Sequence, residues 1–177
     1  HSREFFQKFL KIFLSKPTST INSEELSVVE EVKKTGLALL PNLDKDALNG
    51  IVSFAKNSEL YNPWSPEGTS STFTYASRPK DVKTARVLLP MKCHLVGELA
   101  RETSILRTMH SLFNSTFVID SVDLWWSFPT DEEAAEAELY HRDTDSSEFY
   151  KYFIYLTDVS NDNGPHVYVK SSHTNSN

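Results

Sequence analysis

The sequence predicts an α+β domain in which helices come first and a double-sheet jelly roll follows. Three observations carry this. Apolar residues recur at three- and four-residue spacing through about residues 3–57, as amphipathic helices require. Short extended runs then crowd together at about 138–141, 149–158 and 165–170, parted by turn residues. The two kinds of element are segregated along the chain rather than alternating, which favours α+β over βαβ units. A jelly roll buries one face of many short antiparallel strands and accepts ligands between its sheets. At 177 residues the length favours one domain, with a helical part over about 3–57 and the jelly-roll core over about 84–173.

In chain order, Phe5, Phe6, Phe9, Leu10, Phe13 and Leu14 form one stripe of a helix over residues 3–14, expected to pack on the domain. After the break at Pro17, Asn22 or Ser23 caps a second helix, with Glu24 and Glu25 at its positive end. Lys33, Lys34 and then Gly36 end it. Leu37–Leu40 reads as a short buried strand stopped by Pro41, and Asp44 starts a helix to about Lys56. The stretch 59–79 turns to Pro, Ser, Thr and Asn; it is a long loop, either a candidate lid or a packed surface segment. Thr84–Leu89 is a strand ended by Pro90, and residues 95–113 a long helix.

Thr116–Phe128 is an extended run with two unlike faces. Val122, Leu124, Trp126 and Phe128 form the apolar one; Ser121, Asp123, Trp125 and Ser127 form the mixed one. A mixed face lines a polar pocket or sits half-exposed at a surface. The acidic run 131–138 reads as a solvated loop or short helix.

Net charge is −6, and no basic face announces a nucleic-acid partner. No apolar run approaches the roughly 18 residues that span a bilayer. A single cysteine, Cys93, excludes an internal disulfide and suits a reducing, cytoplasmic compartment. The expected partner is a small molecule.

The chemistry centres on Leu139-Tyr-His-Arg-Asp143 and the aromatic run Phe149-Tyr-Lys-Tyr-Phe-Ile-Tyr-Leu-Thr-Asp158 behind it. Residues two apart on an extended segment project the same way, so His141 and Asp143 point together. An imidazole and a carboxylate so placed are two arms of the facial triad that holds non-haem Fe(II) and leaves positions open. The alternative is an ordinary ion pair at a strand end. On 149–158, Phe149, Lys151, Phe153, Tyr155 and Thr157 share one face, so Lys151, Phe153 and Tyr155 join Trp125 and Ser127 as candidate pocket residues. Lys151 is placed to pair a carboxylate or to extend along the surface with its head in water.

The order His141-Arg-Asp143, a strand ending Leu156-Thr-Asp158, the turn Asn163-Gly164, then a strand into Ser171-Ser-His173 resembles the phytanoyl-CoA dioxygenase family of Fe(II)/2-oxoglutarate oxygenases. Gly36-Leu-Ala-Leu-Leu-Pro41 and Asp120–Pro129 extend the resemblance over roughly residues 35–173. Ser171 stands where that family usually has glycine. The resemblance implies a double-stranded β-helix, Fe(II) bound by His141 and Asp143, 2-oxoglutarate as cosubstrate, O2 as oxidant, and hydroxylation of a small organic substrate with release of succinate. It implies an aromatic near Phe153 against the cosubstrate. A carboxylate at Asp143 favours hydroxylation over halogenation.

The resemblance places the distal histidine ligand and the arginine that grips 2-oxoglutarate downstream of the Ser171-Ser-His173 segment. His166 and His173 are the last histidines, and neither matches the distal ligand. The expectation is therefore a third ligand outside residues 1–177, a chain lacking its last jelly-roll strands, and weak binding of Fe(II) and 2-oxoglutarate by these residues alone. Two rivals stay open: a catalytically inactive, shortened jelly-roll binding protein, and a cupin-type metalloprotein, whose close pair of histidines and glutamate this motif lacks.

Overall fold

In the computed structural model the described residues are 12–13 (backbone only), 20–66, 71–130, 138–143 and 148–174. The helix expected over 3–14 falls outside them, except that Ile12–Phe13 is a strand, β1. The run 131–137 likewise lies outside. Contacts divide the chain into two units, one within His1–Ile51, Pro90–Asp123 and His166–Asn177, the other within Val52–Leu89 and Leu124–Pro165. The described architecture is mixed: helices together with small antiparallel sheets.

In the first unit, α1 (Ser23–Thr35) begins with a capping box: Asn22 Oδ1 accepts from Glu25 N at 2.9 Å, and Glu25 Oε2 accepts from Asn22 N at 3.1 Å. Helix α2 (Lys45–Lys56) starts in this unit, and Asp44 caps it by accepting from the backbone of Asp46 and Ala47, each at 3.0 Å. The long helix expected over 95–113 is two helices, α3 (His94–Leu99) and α4 (Thr103–Phe113). The Glu102 carboxylate accepts from Ser104 N at 3.2 Å, so it opens a new helix where the ladder would otherwise continue. Strand β4 (Val118–Ile119) pairs antiparallel with β1. Val29, Ile51, Cys93, Val96 and Leu112 form the apolar core, joined by the buried polar residues Glu25 and Thr108.

Glu25 is the polar centre of this unit. Arg107 grips its carboxylate with two donors, Nε to Oε2 at 2.8 Å and Nη2 to Oε1, which ties α1 to α4. The Leu37–Leu40 strand does not form; Leu39 is 89% exposed. Neither sheet of the described residues takes in 37–40, and Pro41 lacks the N–H that a ladder would use next.

The C-terminal segment closes the end of α1. Ser171 N donates to Thr35 O at 2.6 Å, Ser171 Oγ to Lys34 O at 3.3 Å, and His173 Nε2 to Lys33 O at 3.2 Å. These are carbonyls that a helix C-terminus leaves without intrahelical partners. Gly36 makes the approach possible: its φ is +83°, and an added Cβ would meet the Tyr168 hydroxyl and the His173 ring. Gly36→Ala is expected to cost about 1–2 kcal/mol of unfolding free energy, read from the denaturant midpoint. An unchanged midpoint would show that this closure contributes nothing.

In the second unit, β2 (Leu60–Tyr61), β3 (Thr84–Val87) and β5 (Trp125–Ser127) make an antiparallel sheet in the order β2-β3-β5. Register pairs Leu60 with Val87, Ala85 with Trp126 and Arg86 with Trp125. One face carries Leu60, Ala85, Val87 and Leu124, all buried. Tyr75 packs tilted on Trp126 with centroids 4.7 Å apart, and the Arg78 guanidinium sits 4.2 Å over Phe128. The long 59–79 loop thus holds β2 and a bridge from Leu60 to Phe73.

The strands expected over 138–141, 149–158 and 165–170 belong to neither sheet. Yet exposure along 151–157 alternates residue by residue: Lys151, Phe153, Tyr155 and Thr157 face out, while Tyr152, Ile154 and Leu156 are half-buried. The turn after it forms as expected, with Ser160 capping Asn161–Asn163 and Gly164 at φ +66°. No helix among the described residues is long and apolar enough to cross a membrane.

Candidate functional site

His141 and Asp143 lie on an irregular segment of the second unit and do point together: His141 Nε2 is 3.2 Å from Asp143 Oδ1. The opposite ring nitrogen, Nδ1, is 2.8 Å from Leu139 O. A carbonyl oxygen only accepts, so Nδ1 carries the hydrogen and the tautomer follows. The third group is Lys151, whose Nζ donates to Asp143 Oδ2 at 2.6 Å. Each carboxylate oxygen therefore has its own partner. All three side chains are partly open to solvent, at 46%, 37% and 40% exposure for His141, Asp143 and Lys151.

The Lys151 hydrogen bond holds the Asp143 carboxyl below the usual aspartate range, against the opposing effect of burial; the charges of Lys151 and His141 lower it further. Asp143 is thus a committed anion. With Nδ1 protonated, a neutral His141 would aim a lone pair at a carboxylate oxygen, which is repulsive. Positive charge between Nε2 and Oδ1 would turn that contact attractive.

The other candidates stand elsewhere. Trp125 and Ser127 lie on the exposed face of β5, where the Arg86 guanidinium stacks 4.0 Å from the Trp125 ring centre; they do not join the hydrogen-bonded group. Phe153 and Tyr155 are 63% and 53% exposed, on the face from which Lys151 reaches Asp143. His173 is spent on the end of α1. The Leu139 carbonyl is the one partner that no residue-type pattern signals, because any residue offers it.

The donor set fits a divalent metal in type: an imidazole Nε2 oriented by a backbone bond through Nδ1, beside one carboxylate oxygen. No group of three or more His, Cys, Asp or Glu that could hold a metal occurs among the described residues. Compared with protein-family models, curated proteins and solved structures, the chain matches none.

Proposed function

We propose that the chain is part of a non-haem Fe(II)- and 2-oxoglutarate-dependent dioxygenase of the phytanoyl-CoA dioxygenase type, hydroxylating a small organic substrate in the cytoplasm. On this reading its strands belong to a jelly-roll barrel of the double-stranded β-helix kind. The observation that carries the proposal is the approach of His141 Nε2 to Asp143 Oδ1, with Nδ1 held by Leu139 O. Ser171 lends support: it adopts φ +63°, a conformation that favours glycine, at the position where the family has glycine.

His141 and Asp143 would hold Fe(II), with a third ligand beyond those described. When bound, Fe(II) supplies open positions for 2-oxoglutarate and O2 and couples oxidation of the cosubstrate to succinate with hydroxylation. The chain's own residues prepare for this. Leu139 O fixes the tautomer so that Nε2 can present a lone pair. Lys151 keeps Asp143 anionic and oriented.

A second reading is favoured by the short Lys151–Asp143 contact. It makes His141, Asp143 and Lys151 a structural ion-pair group in a non-catalytic binding protein. Iron-dependent release of succinate from 2-oxoglutarate separates the two. It is to be measured on residues 1–177 and on the chain with any sequence its gene encodes past Asn177. Release that needs Fe(II) in either form supports the oxygenase. Absence of both release and Fe(II) binding in both forms leaves the binding protein.

A further inference from the structure

We propose that Lys151 is the built-in counter-ion of this site, a positioning residue that sets how Asp143 is offered to a divalent cation and how tightly that cation is held. The inference rests on the metal-binding reading of His141 and Asp143. The two oxygens of Asp143 are divided between two partners: Oδ2 takes the ammonium at 2.6 Å, and Oδ1 faces His141 Nε2 at 3.2 Å. That division pins the plane of the carboxylate. A cation entering between Nε2 and Oδ1 meets one oxygen, and chelation through both would break the Lys151 bond. Asp143 is therefore a one-oxygen ligand while Lys151 is in place.

The second consequence is electrostatic. A unit positive charge on the far oxygen shares the anion with the metal and repels it. Two charges of +2 and +1 about 5 Å apart oppose each other by more than about 1 kcal/mol even at the dielectric of water. A half-exposed site lies near that limit. Lys151 thus keeps the anion paired when the metal is away and weakens its hold when the metal is present.

The test uses Co(II), a redox-stable stand-in for Fe(II), titrated calorimetrically into the wild type, Lys151→Met and Lys151→Arg. Lys151→Met should bind Co(II) about tenfold more tightly. Its carboxylate infrared bands should move closer together, as one-oxygen ligation gives way to two. Lys151→Arg keeps the charge and should match the wild type in both readouts. A merely structural lysine would move neither. Melting temperature should change by only about a degree or two, since exposed ion pairs contribute little. Equal or weaker Co(II) binding by Lys151→Met overturns the inference while leaving the metal site standing. No Co(II) binding by any of the three, either as residues 1–177 or with any sequence the gene encodes past Asn177, overturns both.

Discussion

Arg107→Met should lower the melting temperature by roughly 5–10 °C at neutral pH. Glu25 is buried, and Arg107 supplies two of its hydrogen bonds. Without them the carboxylate keeps, among the described residues, only the backbone N–H of Asn22, 3.1 Å away. A buried anion stripped of its counter-charge destabilises far more than an exposed one, because its lost hydration is no longer replaced. The effect should depend on pH. The Arg107 hydrogen bond holds the Glu25 carboxyl below the ordinary glutamate range; burial opposes this, and the Asn22 bond and the Arg107 charge add to it. A folded value below the unfolded one means that the unfolded chain takes up the proton first. The stabilisation is full above the ordinary glutamate value and is lost as pH falls through the depressed one. Melting curves from pH 7 into acid should therefore show the wild type losing stability and its lead over Arg107→Met shrinking. The double variant Glu25→Leu/Arg107→Met should recover part of the loss, since no buried charge remains. It should not recover all, because the capping bond to Asn22 goes with Glu25. A pH-independent gap would contradict the assignment.

What the sequence made legible follows from the range of the forces involved. Caps act within three or four residues, so Asn22, Gly36 and Asp44 announced α1 and α2 at nearly the right ends. Facing is a period-2 property of an extended backbone, so the inward set Val122, Leu124, Trp126 and Phe128 could be read directly, as could the side-by-side placement of His141 and Asp143. Ladders are another matter. Leu37–Leu40 has the composition of a buried strand, but a strand exists only where a second one lies alongside, and no local pattern supplies that. The break within 95–113 is hidden for a related reason: glutamate seldom caps, and only the folded bond from Ser104 N to the Glu102 carboxylate marks the new helix start. At the candidate site, Lys151 is eight residues from Asp143, and only the fold decides between reaching a carboxylate and lying along the surface.

If the proposed oxygenase reading holds, Asp143→Ala should abolish succinate formation from 2-oxoglutarate, by more than about a hundredfold in the iron-loaded protein, while leaving the fold in place. The reasoning starts from the donor set. Asp143 is the anionic member of the pair, and Oδ1 is the oxygen that faces His141 Nε2. On that reading its removal takes away a metal ligand and the negative charge that balances a divalent ion. The Lys151 ammonium is then no longer offset by the Asp143 carboxylate, so the local attraction for a cation weakens. Affinity should fall on both counts. Stability should not, because Asp143 is 37% exposed and Lys151 40% exposed. A pair so open to water contributes only about 0–1 kcal/mol. The depressed carboxyl of Asp143 adds only a little acid sensitivity in the wild type, in the same sense as Glu25: present above the ordinary aspartate range and lost below it. The structural reading predicts a different pattern. If His141, Asp143 and Lys151 only brace the segment that follows Leu139, the melting temperature still shifts little, while Fe(II) binding and iron-dependent turnover are absent from wild type and variant alike. Melting temperature, Fe(II) affinity and succinate release measured on the two proteins therefore distinguish the readings. Full succinate release by Asp143→Ala would remove Asp143 from the metal site altogether.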